Sequence, residues 1–125
     1  MTIPSNLKFT KDHEWIKKEG NEALIGITDY AQSELGEIVF LELPEAGAEF
    51  KKESVFGTVE AVKAVSDLFM PASGVVIATN PELDDKPELV NEEPYGKGWM
   101  IRIKLSDEAE LDNLMTPEAY EELTK

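Results

Sequence analysis

The sequence predicts a mainly β fold, a compact β-sandwich or barrel-like core with short helices that include a helical C-terminus. Three observations carry this expectation. Many short runs rich in Val, Ile, Phe and Thr are punctuated by Gly and Pro. The 125 residues suit one domain. At 42% apolar and 8% aromatic residues, the chain has enough to build a core. With no linker in view, 1–125 reads as a single domain, its β core at about 7–104 and its helical cover at about 106–123.

Residues 7–27 read as two strands and a tight turn, Leu7 to Ile16 and Ala23 to Ile27 around Gly20-Asn21, both of which tolerate positive φ. A short helix follows over about Asp29–Leu35, capped by Asp29 with Gln32 at capping-box spacing and Gly36 after its end. Glu37–Leu43 is strongly β-forming and Pro44 stops it. Residues 45–80 resemble a β-meander: Ser54–Val62 and Val65–Met70 flank Lys63-Ala64, and Ser73-Gly74 turns the chain into Val75–Thr79. Asn80 to Pro87 is a turn-rich connection with one helical turn, and Trp99–Lys104 alternates like a last strand. Beyond it, Ser106 precedes an acidic turn, and Thr116-Pro117 supplies an N-cap with Pro at the first helical position.

Composition removes whole classes of function. Twelve basic against 26 acidic residues give a net charge of −14, and Arg102 is the sole arginine. Nucleic-acid binding needs clustered cations, so it is not expected. Basic patches on protein partners suit this surface better. The absence of cysteine excludes disulfides, thiolate metal sites and cysteine nucleophiles. A single histidine, His13, leaves zinc sites and Ser–His hydrolase chemistry without their ligands and base, and no metal is expected. No apolar run approaches a membrane span of about 20 residues. MTIPSNLKF lacks the features of a signal or transit peptide. The chain reads as cytoplasmic, or as a mature form already trimmed.

The reactive handle is Lys63. Gly57 to Asp67 is nearly a mirror about Lys63-Ala64, which places the lysine at the apex of a hairpin among small side chains. It is the only base between Glu53 and Asp85, a stretch with six acids. An ordinary exposed lysine and a covalently modified one both fit that pattern. Glu14 and Asp67 are either outward strand carboxylates or holders of a cation carried near the tip. His13 is either a proton donor or a half-buried strand residue with a satisfied ring nitrogen. Trp15 and Trp99 suit the core. Asp84-Asp85 is too short for a calcium loop, and no P-loop, nucleophile elbow or dinucleotide turn occurs. A post-translationally loaded carrier fits these facts better than an enzyme does.

Val59-Glu-Ala-Val-Lys63-Ala-Val-Ser-Asp67 resembles the lipoyl-attachment segment of the glycine cleavage H proteins. His13-Glu-Trp15, Ile25-Gly-Ile-Thr-Asp-Tyr-Ala-Gln32, Leu35-Gly-Glu-Ile-Val-Phe40 and Leu43-Pro-Glu45 match that family in order and spacing. So do Pro71-Ala-Ser-Gly74, Pro87-Glu-Leu-Val-Asn91, Pro94-Tyr95 and Gly98-Trp99, and the likeness spans about residues 7 to 120. The resemblance implies a barrel-sandwich hybrid of two small antiparallel sheets, with lipoate in amide linkage to Lys63. It also implies a non-catalytic, monomeric shuttle. Such a shuttle takes an aminomethyl group from a pyridoxal-phosphate glycine decarboxylase to a tetrahydrofolate-dependent aminomethyltransferase. It then takes the dithiol to dihydrolipoyl dehydrogenase, having been loaded by a lipoate ligase or a lipoyl/octanoyl transferase. Glu14 and Asp67 would face the amine in the arm's resting site. Asp12, where some relatives have serine, would add an anion there, and Ala61 stands where Ser is common. Biotin carriers match less well, since they place Met on both sides of the lysine, where Val62 and Ala64 stand. An H-like lipoyl relay or interaction protein outside glycine cleavage is the alternative reading.

Overall fold

The computed structural model describes residues 4–124. Strands β1 (Lys8–Phe9), β2 (Glu14–Glu19) and β3 (Glu22–Ile27) lead into α1 (Asp29–Leu35) and β4 (Ile38–Glu42). Then come β5 (Glu49–Phe50), β6 (Val55–Ala61), β7 (Val65–Phe69) and β8 (Gly74–Thr79). Two single-turn helices, α2 (Glu82–Asp85) and α3 (Leu89–Glu92), precede β9 (Ile101–Leu105), a 3-10 helix (Glu108–Asn113) and α4 (Pro117–Leu123). The strands form a six-stranded sheet, β1-β2-β3-β9-β8-β5, and a three-stranded sheet, β4-β6-β7, with every pairing antiparallel.

The two sheets share one apolar core. Ile16, Ile25, Val76 and Ile103 of the larger sheet and Ile38, Leu41, Val59 and Leu68 of the smaller are all buried in it. A second cluster holds Leu7, Phe9, Trp15 and Tyr120 and binds α4 to the larger sheet, with the Phe9 and Tyr120 rings stacked 4.6 Å apart. Trp15 lies over Gly26, where any Cβ would come within 2.8 Å of the indole, and its Nε1–H donates to the Pro94 carbonyl at 2.9 Å. So close an approach of a ring to a strand needs glycine at the covered position.

Several expectations are corrected. The strand expected over Leu7–Ile16 breaks at Thr10–His13, because Thr10 Oγ1 accepts from the amides of Asp12 (3.2 Å) and Glu14 (3.1 Å) and His13 takes φ +68°. A Thr hydroxyl bonding its own downstream backbone competes with a strand ladder. The cap of α1 is Thr28, whose Oγ1 accepts from Ala31 N at 3.1 Å; Asp29, expected to cap, instead accepts from Gln32 Nε2 at 2.7 Å. The stretch 45–80 is no simple meander: only β6 and β7 are hairpin partners, while β5 and β8 pair in the other sheet. Asp107, not Ser106, caps the 3-10 helix through Ala109 N, and α3 has no counterpart in the sequence reading. Thr116 and Pro117 start α4 as read from the sequence.

Candidate functional site

The β6–β7 hairpin presents Lys63. Val59 pairs with Ser66 and Glu60 with Val65, and the Ala61 amide donates to the Ala64 carbonyl at 2.7 Å. The two loop residues are therefore Val62 and Lys63, one position earlier than the sequence mirror about Lys63-Ala64 suggests. Electrostatics explains the slip. The mirror register would set Glu60 opposite Asp67, two like charges face to face, which destabilises a sheet. In the observed register Thr58 opposes Asp67 and Val65 opposes Glu60. Ala61 and Leu68 are buried here, and burial does not separate the two registers, because they differ by two residues and keep each strand's faces unchanged.

The tip is anchored, and its lysine is not. Val62 N–H donates to the Glu37 carbonyl at 3.0 Å, tying the loop to the chain before β4. Lys63 is exposed and makes no ion pair among the described residues. Its aliphatic stem passes over Gly36, where a Cβ would meet Lys63 Cε at 3.2 Å. Gly36 ends α1 at φ +82°, ψ −155°, a combination essentially limited to glycine. Asn91 of α3 fixes this corner by donating to the Gly36 carbonyl at 2.8 Å and accepting from Ile38 N at 2.9 Å.

Glu14 lies beyond the other end of β7. Its side chain is only 2% exposed, yet it is not stranded: Oε2 accepts from Phe69 N at 2.9 Å and Oε1 from Thr10 Oγ1 at 2.9 Å. β7 is an edge strand, so a carboxylate rather than a neighbouring strand takes its outward amide. Burial pushes the Glu14 carboxyl up to about 8; the Phe69 and Thr10 hydrogen bonds work against that rise, and Asp12 adds to it. Glu14 and Asp12 line a cleft of about 310 Å³ together with Glu53, Phe69 and Met115. A larger recess of about 640 Å³, between the start of β1 and the 3-10 helix, contains no buried charged side chain and lies away from the hairpin tip.

Thus the structure brings Asp12 and Glu14 together in one cleft. It leaves Asp67 on the outer face of β7, opposite Thr58 and outside the residues lining that cleft, and sets Lys63 at the hairpin tip. Sequence reasoning missed Glu53. It stands in the cleft wall at φ +74°, its amide donating to the Met70 carbonyl at 2.8 Å, and no turn motif announces it. His13 faces away from the cleft: Nδ1 is 2.8 Å from the Tyr120 hydroxyl, which is 2.7 Å from Thr28 Oγ1. That is the satisfied, half-buried ring and not a proton donor to the cleft. Trp15 is core, and Trp99 packs partly buried beside it. Among the described residues no group of three or more acids or histidines could hold a metal ion.

A two-sheet body that offers an accessible amine at a two-residue hairpin tip, with no nucleophile–base pair beside it among the described residues, has the layout of a swinging-arm carrier domain. The comparisons make this specific. The family model for the glycine cleavage H-protein matches residues 7–125. The glycine cleavage system H protein of Bacillus cereus (strain AH187) is 56% identical over 124 residues, 99% of this chain and 98% of the relative. That of Bacillus anthracis (strain A0248) is 55% identical with the same coverage. The crystal structure of a glycine cleavage system H protein from Mycobacterium marinum superposes with a TM-score of 0.87 at 35% identity, over 94% of this chain and 95% of that one. The chain belongs to the glycine cleavage H-protein family. Its role is the family's: a lipoyl shuttle of the glycine cleavage system, a carrier component and not a catalyst. Proteins of this family carry lipoate on a lysine and work with the other components of that system. No helix among the described residues is long and apolar enough to cross a membrane.

Proposed function

We propose that lipoate is joined in amide linkage to Lys63 Nζ, and that residues 1–125 act as one monomeric, cytoplasmic carrier domain. In this reading a lipoate ligase or lipoyl/octanoyl transferase loads the lysine. The arm then serves a pyridoxal-phosphate glycine decarboxylase, a tetrahydrofolate-dependent aminomethyltransferase and dihydrolipoyl dehydrogenase in turn. The observation that carries the proposal is the amine at the two-residue tip of the β6–β7 hairpin, exposed and in no ion pair among the described residues. Bound lipoate supplies a redox-active dithiolane that takes up and gives back a one-carbon amine.

The residues fit such a group in reach and polarity. An extended lipoyl-lysine spans about 14 Å, from about eleven bonds advancing some 1.25 Å each. Val65–Phe69 covers a similar length at about 3.4 Å per residue. Lys63 stands two residues before that strand, so the arm reaches along most of β7 toward Phe69, whose amide Glu14 holds. We infer that Glu14 and Asp12 receive the cationic end in their cleft and that Asp67, exposed on the same strand, attracts it from the sheet face. Without a cation, Glu14 is mostly protonated at neutral pH; a facing ammonium would favour the carboxylate and send the proton to solvent. Enclosure by Phe69, Met70 and Met115 would exclude water from a labile amine.

Intact mass of the protein from its native cells tests the attachment. One lipoyl group is expected on the wild-type chain and none on Lys63→Arg. The loaded wild-type protein should stimulate glycine–bicarbonate exchange by the decarboxylase. An unmodified wild-type chain, or loaded protein without stimulation, would remove the proposal.

A further inference from the structure

The outer face of the three-stranded sheet is unusually apolar for this molecule. Seven large hydrophobic side chains are exposed among the described residues, and five of them, Val39, Phe40, Val55, Val62 and Val65, belong to this sheet and its hairpin tip. The register gathers them. Phe40, Glu60 and Val65 form one cross-strand row, and the irregularity between Ile38 and Phe40 leaves both Val39 and Phe40 turned to solvent. Val62 and Val65, 72% and 67% exposed, bracket Lys63 in the chain. No internal packing needs them there, and exposed apolar side chains gathered on one face mark interaction sites. Acids stand in and beside it: Glu60 lies in the row between Phe40 and Val65, Glu42 and Asp67 lie on the neighbouring strands, and all three are exposed and in no ion pair among the described residues.

We propose, on the reading that Lys63 is the acylated lysine, that this face is the docking surface for the acyl-transfer enzyme that loads it. The partner it fits has an apolar platform edged with basic side chains beside its active-site mouth. Reach decides between partners. Enzymes that use the loaded arm meet its far end about 14 Å from the Lys63 Cα and need not cover the tip. The loading enzyme must bring an acyl adenylate or acyl thioester to Nζ itself. There the neutral amine attacks the acyl carbon and the N–C bond forms. The C–O bond to adenylate or the C–S bond to the carrier thiol breaks, its electron pair leaving with that group, and the ammonium proton passes to solvent. Apolar side chains bracketing the amine therefore lie where that enzyme alone must touch. Charge complementarity points the same way, since a basic rim is steered to this face. A second copy of the chain is disfavoured, because two acidic rims would be pressed together at −14 per chain.

The test is loading of the full-length, unmodified chain by a lipoate ligase with lipoate and ATP, followed by intact mass. Phe40→Thr/Val65→Thr keeps strand-forming residues at exposed positions, so folding should survive. It should raise KM for the chain at least tenfold and leave kcat within twofold. Glu42→Lys/Glu60→Lys should also raise KM and weaken the salt dependence of loading. Ile77→Thr, which removes an exposed apolar side chain of the other sheet, should change nothing. Unaltered kcat/KM in both double variants overturns the proposal, and so does a fall in kcat at constant KM. A wild-type dimer that Phe40→Thr/Val65→Thr dissociates would reassign the face to self-association and overturn it too. If wild-type Lys63 is not acylated at all, the attachment itself fails, a different result from equal loading of wild type and variants.

Discussion

Replacing Glu14 by Gln should make the pH dependence of stability shallower in a direction fixed by the site. An unfolded Glu titrates near 4.5, and burial pushes the folded carboxyl to about 8. Between those values the folded chain keeps a proton that the unfolded chain has lost, so stability falls as pH rises. The rate is about 1.4 kcal/mol per pH unit, which allows a loss of up to about 5 kcal/mol across the interval. The side-chain amide of the Glu14→Gln variant does not titrate, so it escapes that loss. It also cannot satisfy both partners. Its carbonyl can take the Phe69 amide, but its NH₂ then faces Thr10 Oγ1, which already accepts from two backbone amides. A frustrated hydrogen bond of this kind costs about 1 kcal/mol at any pH. The variant should therefore be about 1 kcal/mol weaker than wild type near pH 4.5 and stronger above pH 8, with the curves crossing between. Urea titrations of both proteins at unit steps from pH 4.5 to 9 measure the difference directly, because other groups common to the two cancel. A difference constant across that range would refute the assignment of a high pKa to Glu14.

Two further outcomes follow from the packing. Tyr120→Phe removes the hydroxyl that links His13 Nδ1 to Thr28 Oγ1, and should cost about 1–3 kcal/mol. Amide exchange in α4 should accelerate with it; unchanged exchange would mean that stacking on Phe9 alone secures the helix. Gly36→Ala forces a Cβ into a glycine-only backbone state beside the Lys63 stem, and should destabilise the chain by about 1–3 kcal/mol. A chemical denaturation midpoint within error of wild type would show that the corner can relax.

The strands that bury one face were legible because alternation records burial. Glu22–Ile27, Ile38–Glu42 and Ile101–Leu105 fall within or close to the runs read from the sequence, as do α1 and the Thr116-Pro117 start of α4. Partners were harder to read than elements. β5 and β8 pair over a long stretch of chain, Glu49 with Val75 and Phe50 with Gly74, and nothing in their local composition says so. The break at Thr10 was hidden because a Thr in a run of mixed polarity fits a strand as well as it fits a hydroxyl-stabilised turn. α3 was hidden as well, being a single turn whose value lies in placing Asn91 against the end of α1 rather than in any helical repeat.

The site divides along the same line. Lys63 stood out because a tip of small side chains among acids advertises accessibility locally, and the structure leaves it exposed at the hairpin tip. The carboxyls were not, since what separates Glu14 from Asp67 is depth. Glu14 follows a turn at which the backbone reverses hand, and its side chain is carried inward until it caps the free amide of an edge strand. Asp67 alternates outward two residues before that amide. An exposed carboxylate attracts a cation weakly through solvent and at long range, whereas a buried carboxyl holds it at short range once its own proton has gone. Two acids of the same charge in the sequence thus become one exposed carboxylate and one buried, hydrogen-bonded carboxyl. The difference arises from the pairing of distant strands, and a reading of neighbours along the chain has no access to it.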